Sequence, residues 1–190
     1  MDVSFNIEDE LIKLYRFVKR PTWSPEPYQS KLHKLLVFSF LLVLSLIAGL
    51  LLGACIQAIQ QFDFFEPTQH EMEKMMYEHP KYYIFLLGVV AAPLLEECIF
   101  RGPLLYASKF EKLFPYFFYA SVLLFGFVHL SNYQLNTSVL YFAPILVSAQ
   151  LFTGITFGYI RVKFGLLYSI ALHASYNGIL FLPFLFFDFS

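Results

Sequence analysis

Charge is what this sequence has least of. Lys and Arg number 13 and Asp and Glu 14 among 190 residues, 14% in all, where a soluble domain carries about a quarter. The net charge is -1, so no basic excess is present to attract nucleic acid, which is excluded as a partner. Cysteine is nearly absent. Cys55 and Cys98 both sit in apolar runs with no pairing pattern, offer no disulfide framework, and read as small buried hydrophobes. Several catalytic signatures are missing too. There is no GxSxG turn and no serine–histidine–aspartate set, neither cysteine is placed as a nucleophile, and the HExxH zinc helix does not occur. The chain opens on charged residues with no early apolar run, unlike a cleaved signal peptide.

What remains is apolar. Hydrophobic residues make up 58% of the chain and aromatics 20%, with a mean hydropathy of +0.60, so lipid rather than water is the expected solvent. The length suits one membrane domain, and the expected fold class is all-α, a polytopic membrane helical bundle. Residues 1–34 form a polar segment outside the membrane, with an amphipathic helix from about Ile7 to Val18 and a link containing Pro21, Pro25 and Pro27. Two readings of it stand side by side. Leu11, Leu14, Tyr15 and Val18 recur at helical spacing and Lys13, Lys19 and Arg20 are placed to meet headgroups, or the segment is a solvated tail.

The membrane-embedded part covers 35–190. Uncharged residues 35–56 span ~33 Å at helical rise, enough to cross a bilayer core. Residues 57–81 hold five acids and read as a loop, with room for a short helix from Pro67. Four further apolar runs follow, at 82–100, 116–130, 139–160 and 165–187, and 103–114 is a candidate interfacial helix. With five spans, eleven Lys and Arg residues fall on the side of the N-terminus and only Lys74 and Lys81 on the other. The N-terminus of this multi-pass protein is therefore expected in the cytoplasm.

Polar residues inside the spans carry the functional signal. A charge at the centre of a membrane helix costs roughly 2.5–3.5 kcal/mol on insertion scales, yet the second run contains Glu96 and Glu97 and then meets Arg101. Residues four apart share a helix face, so Glu97 and Arg101 pair, while Glu96 lies about 100° away, free to point into a cavity as a base. His129 closes the third run, and His173 and Asn177 share a face of the last. Each feature has a bland reading: an interfacial anchor for the acids, packing for His129, interhelical hydrogen bonds for His173 and Asn177. Three such clusters on separate helices suit amide hydrolysis better. A buried carboxylate takes a proton from water, one histidine shares that water, and a second histidine with an asparagine donates to the oxyanion. Glu96, His129 and His173 are also a possible zinc set with one position open.

The sequences EECIFRG (Glu96–Gly102), FGFVH (Phe125–His129) and HASYN (His173–Asn177) resemble the motifs EExxxR, FxxxH and HxxxN. These belong to the CPBP family, the CAAX-processing and bacteriocin-processing intramembrane proteases, also called Abi. The likeness covers about 82–185. It implies a helical bundle enclosing the site, with Glu96 and His129 activating water and His173 and Asn177 stabilising the oxyanion. Glu97 and Arg101 would hold the site's shape. The family is often labelled metalloprotease, but the resemblance favours a mechanism without required cofactor, with zinc as the alternative. It implies a peptide or membrane-protein substrate and the lipid bilayer as surroundings. One branch removes three residues after a prenylated cysteine, whereas the compact length here is more like a bacterial cell-membrane member acting on leader peptides or membrane-protein tails. A proton-coupled transporter or a non-catalytic scaffold would hold a similar polar cluster, although no internal repeat supports transport and no motif residue is lost. Straight, upright helices would leave Glu96 and His129 about 10 Å apart in depth. Tilt, a break at Pro93 or a third helix that starts late is needed to join them.

Overall fold

The computed structural model describes residues 5–61 and 78–186. The possible helix from Pro67 and most of the acidic loop lie outside the described residues. Helix α1 (Ile7–Lys19) and the proline link precede α2 (Lys31–Gln60). Then come α3 (Lys81–Ala107), α4 (Phe114–Asn132), the fourth span (Thr137–Phe164) and α7 (Leu166–Phe186). The fourth span divides into α5 (Thr137–Leu146) and α6 (Ser148–Phe164). Among the described residues the fold is all-helical, and five helices are long and apolar enough to cross a membrane.

Two expected boundaries and one expected burial change. Residues 104–107 continue α3 rather than starting an interfacial helix, and only 108–113 link it to α4. The fourth span is not continuous. Pro144 has no N–H to donate back along the helix, and the chain breaks at Val147, three residues later. Cys55 and Cys98 are free and exposed on the outside of the bundle, not buried. That fits a protein turned toward lipid, where Val43, Ile47, Leu50 and Leu51 are likewise exposed.

Lipid tails are as apolar as leucine, so helices in a membrane associate through close packing and hydrogen bonds rather than by escaping water. The α4–α6 contact shows how. A Cβ on Gly158 would lie 2.6 Å from the Phe118 ring, and one on Gly126 would overlap Leu151, so both glycines let the helices approach. The pairings 126 with 151 and 118 with 158 make the two helices antiparallel. Ser45 and Thr156, both fully buried, share a 2.8 Å hydrogen bond between α2 and α6. Helices α3 and α7 are also antiparallel. Lys81 lies over the Phe184 ring, Gly88 faces Phe181, and Glu97 meets Ser169 and His173.

Segment 5–30 is docked, not a free tail. Its helix begins at Asn6, whose side chain accepts from the Glu8 N–H at 2.8 Å, the usual asparagine cap. The face of α1 against the bundle is Glu10, Leu14 and Phe17, while Leu11 and Tyr15 point outward. Phe17 packs edge-on against Phe118 and Tyr159, and Trp23 against Phe114. Glu26 pairs with Lys163 at 2.6 Å and the Tyr119 hydroxyl donates to the Val18 carbonyl. The segment thus straps the end of the bundle formed by the start of α4 and the end of α6, called the N-terminal face below.

Candidate active site

The site is built on two local departures from α-helical geometry in α3. Residues Leu86–Ala91 and Glu97–Arg101 are π-helical, a widening that occurs frequently at functional sites. In the first, the Ala92 N–H bonds to the Leu87 carbonyl, and the next residue, Pro93, has no N–H. The Gly88 carbonyl is left without a helical donor, and Asn177 on α7 supplies one, its amide nitrogen 2.7 Å away. Asn177 therefore has one amide hydrogen committed to the backbone and one to spare. This pinning of α7 to α3 was not legible in the HxxxN spacing alone.

The second π turn carries Glu97 and Arg101, both wholly buried. They do pair as the four-residue spacing suggests, with Arg101 Nη1 3.4 Å from Glu97 Oε1. Arg101 Nη2 also donates to the Gly154 carbonyl at 3.3 Å, and its guanidinium stacks 3.9 Å from the Phe125 ring centre. Glu97 accepts from His173 Nδ1 at 3.0 Å through Oε1 and from the Ser169 hydroxyl through Oε2. The carboxylate is thus held on three sides, which is what a buried charge requires.

Glu96 is the contrast. Its side chain is 24% exposed, and its buried Oε2 has no hydrogen-bond partner. That oxygen lies 4.0 Å from His129 Nε2 and 3.9 Å from His173 Nε2. Two imidazoles on different helices thus converge on one free carboxylate oxygen. The protonation of His129 is read from its partners. Nδ1 lies 2.7 Å from the Phe125 carbonyl and must donate there, so in the neutral ring Nε2 presents a lone pair toward Glu96. Two acceptors 4.0 Å apart call for a shared donor, and one water fits between them at ordinary hydrogen-bond length.

The depth difference expected between Glu96 and His129 closes mainly through helix length. Because α3 runs on to Ala107, Glu96 is 11 residues from its end at the N-terminal face, and His129 is 15 residues from the start of α4. At helical rise the two backbones differ by roughly 6 Å in depth, within reach of a glutamate and a histidine side chain.

Glu96, His129, His173 and Asn177 face a cavity of about 470 Å³, lined also by Gln150 and Thr153, whereas Glu97 and Arg101 lie behind it. Several working residues were not among the candidate site residues, although Phe125 opens the FxxxH motif. Phe125 is in contact with Arg101, His129 and His173 at once, and Phe157 stacks on the His173 ring at 4.6 Å. Arg161 donates through Nε to the Arg101 carbonyl at 3.1 Å. Gln150 has a buried Oε1 without a partner; a glutamine inside an apolar run is the sort of signal that points to such a role. Among the described residues, no group of three or more His, Cys, Asp or Glu side chains is arranged to hold a metal ion. The possible zinc set of Glu96, His129 and His173 is not among such groups, with each imidazole Nε2 3.9–4.0 Å from Glu96 Oε2.

Ionisable side chains kept inside membrane helices mark chemistry or ion movement, so fold and site suit a membrane-embedded enzyme, an ion carrier or a scaffold that retains such a cluster. Among known families, the one described as Type II CAAX prenyl endopeptidase Rce1-like matches residues 78–179, more than half of the chain. The protein belongs to that family, in agreement with the CPBP resemblance, and is an integral membrane protein of a protease family. Comparison with curated proteins and with solved structures gave no match.

Proposed function

We propose that the protein is an intramembrane endopeptidase in which Glu96 and His129 activate the attacking water. The observation that carries this reading is the unpartnered Glu96 Oε2 within 4.0 Å of both imidazole Nε2 atoms. A water between Glu96 and His129 gives one hydrogen bond to each. As its oxygen bonds to the peptide carbonyl carbon, Glu96 takes the proton. The carbonyl oxygen becomes an oxyanion, met by the spare amide hydrogen of Asn177 and by His173. With Nδ1–H already given to Glu97, donation from His173 Nε2 requires the imidazolium, whose counter-ion is Glu97. The proton on Glu96 then passes to the amide nitrogen as the C–N bond breaks, releasing an amine and a carboxylic acid. Glu97, Arg101 and Ser169 position the site rather than react. Gln150 Oε1 is free to accept from a substrate N–H. The N-terminus lies in the cytoplasm, on the charge asymmetry of the loops.

The test is cleavage of an internally quenched peptide bearing a prenylated cysteine three residues from its end, with an unprenylated copy alongside. Glu96→Ala and His129→Ala should each lower the rate by roughly 10²–10⁴-fold, the usual worth of a general base, with helix content unchanged. Cleavage by both variants at the parent rate would overturn the proposal.

A further inference from the structure

We infer that Gln150 sets the register of the substrate, its side-chain amide pairing with the N–H and C=O of one extended residue within about two of the bond cut. A residue without that N–H, such as proline or an N-methylated one, is then rejected at this position. The inference rests on the endopeptidase reading above and adds the side chain that reads the substrate's backbone.

Most polar groups around the cavity are already committed to protein partners. Ser131 and Thr153 donate their hydroxyls to carbonyls of their own helices, at 2.8 Å and 3.1 Å. Asn177 gives one amide hydrogen to Gly88, and His129 and His173 bond through Nδ1 to Phe125 and Glu97. Among the described residues, two side chains of the lining keep a buried oxygen with no partner: Glu96 and Gln150. The Glu96 oxygen serves the attacking water. The Gln150 oxygen serves nothing in the described protein. A buried acceptor left unpaired is so costly that an apolar residue of similar shape would fit the bundle better, so its use lies with a ligand.

Its depth puts Gln150 beside the reacting groups. It is 14 residues from the end of α6 at Phe164, and His129 is 15 from the start of α4 at Phe114. At helical rise the two backbones lie roughly 2 Å apart in depth, and Gln150 lies roughly 5 Å from the level of Glu96. The close approach of Leu151 to Gly126, where no Cβ intervenes, holds the two helices in that register. An extended chain advances about 3.3 Å per residue, so one or two residues of substrate cover the offset.

A peptide backbone is the ligand that matches. Against rings such as Phe125, Phe157 and Phe181, a peptide N–H must find an acceptor or forfeit the hydrogen bond it made to water. A residue in extended conformation points its own N–H and C=O to the same side, the pair that a neighbouring strand engages in a sheet. A primary amide carries one acceptor and two donors, so Gln150 stands in for one rung of such a ladder. No protein group fixes its oxygen, and the amide is free to offer that oxygen to the N–H and its NH₂ to the C=O.

The test is an ester scan on the detergent-solubilised protein. Copies of the quenched peptide each carry an ester in place of one amide within about two residues of the bond cut, with the scissile amide kept. In the parent, one ester should lower kcat/KM by roughly 5–150-fold, the worth of a substrate N–H and its buried acceptor. Gln150→Met and Gln150→Leu should cut that copy and the all-amide peptide equally well. Both should melt no lower than the parent, because the oxygen they remove has no protein partner to lose. A parent indifferent to every ester, an equal ester loss in parent and variants, or a lowered midpoint in both variants overturns the inference. The same peptides, carrying a fluorophore, are measured by anisotropy for binding to Glu96→Gln protein with and without each Gln150 substitution. Should the parent cut no peptide at all, the endopeptidase reading fails, and the presence or absence of the ester coupling in binding still decides what Gln150 does.

Discussion

Glu96 and Glu97 are neighbours in sequence with identical side chains, and the structure gives them opposite burdens that two amide substitutions separate. In Glu97→Gln the new NH₂ can face the Ser169 hydroxyl, which then donates to the Phe157 carbonyl 2.9 Å away. The remaining oxygen still accepts from His173. Shape and hydrogen bonds therefore survive, and what is lost is the negative charge opposite Arg101, whose guanidinium is fully buried. Removing one partner of a buried ion pair costs roughly 3–5 kcal/mol. For a chain of this size that lowers the unfolding midpoint by roughly 6–20 °C. Glu96→Gln removes a charge whose Oε2 bonds to no protein group, so its midpoint in detergent should stay near the parent value. Its cleavage rate should instead fall by roughly 10²–10⁴-fold. The assay pairs thermal unfolding in detergent with hydrolysis of the quenched peptide, measured well below each variant's midpoint. The reasoning is refuted if Glu97→Gln is as stable as the parent, or if Glu96→Gln is the less stable of the two.

Ser169→Ala takes away a hydroxyl donating to a buried carboxylate, a bond worth roughly 1.5–3 kcal/mol. Stability should drop by that order, whereas Ser169→Thr, which keeps the hydroxyl, should recover part of it in the same melt. Gly158→Leu drives a side chain into the Phe118 ring. Overpacking typically costs about 1–3 kcal/mol, and pairing it with Phe118→Ala should relieve part of the loss; additivity of the two would show that the contact does not form. Phe17→Ala should cost about 3–5 kcal/mol as a buried aromatic truncation and raise protease sensitivity in the 20–30 link; an unchanged melt would mean the strap is not docked. Purified active protein should carry zinc well below one equivalent and keep its cleavage rate under a chelator. One zinc per chain, lost together with activity, would refute the water-only mechanism.

Much of this protein was readable residue by residue because membranes impose one-dimensional rules. Scarcity of charge, apolar runs of bilayer length and polar intruders within them are properties of the chain before it folds, and they sufficed for an all-helical, five-span bundle and for the candidates Glu96, Glu97, Arg101, His129, His173 and Asn177. The Glu97–Arg101 pair followed as well, since a four-residue spacing survives even the π turn that holds it. Contacts between helices were not available in this way. Nothing in the order of residues shows that Phe125 would touch three motif side chains, that Ser169 would share Glu97, or that Pro93 would free a carbonyl for Asn177. Nor did it show which stripe of α1 would be buried. Those outcomes depend on helix register and local winding, which are set by how glycines and rings interlock across the bundle. A hydrophobicity pattern constrains each helix against the lipid, but only tertiary packing turns two adjacent glutamates into one clamped counter-ion and one free carboxylate.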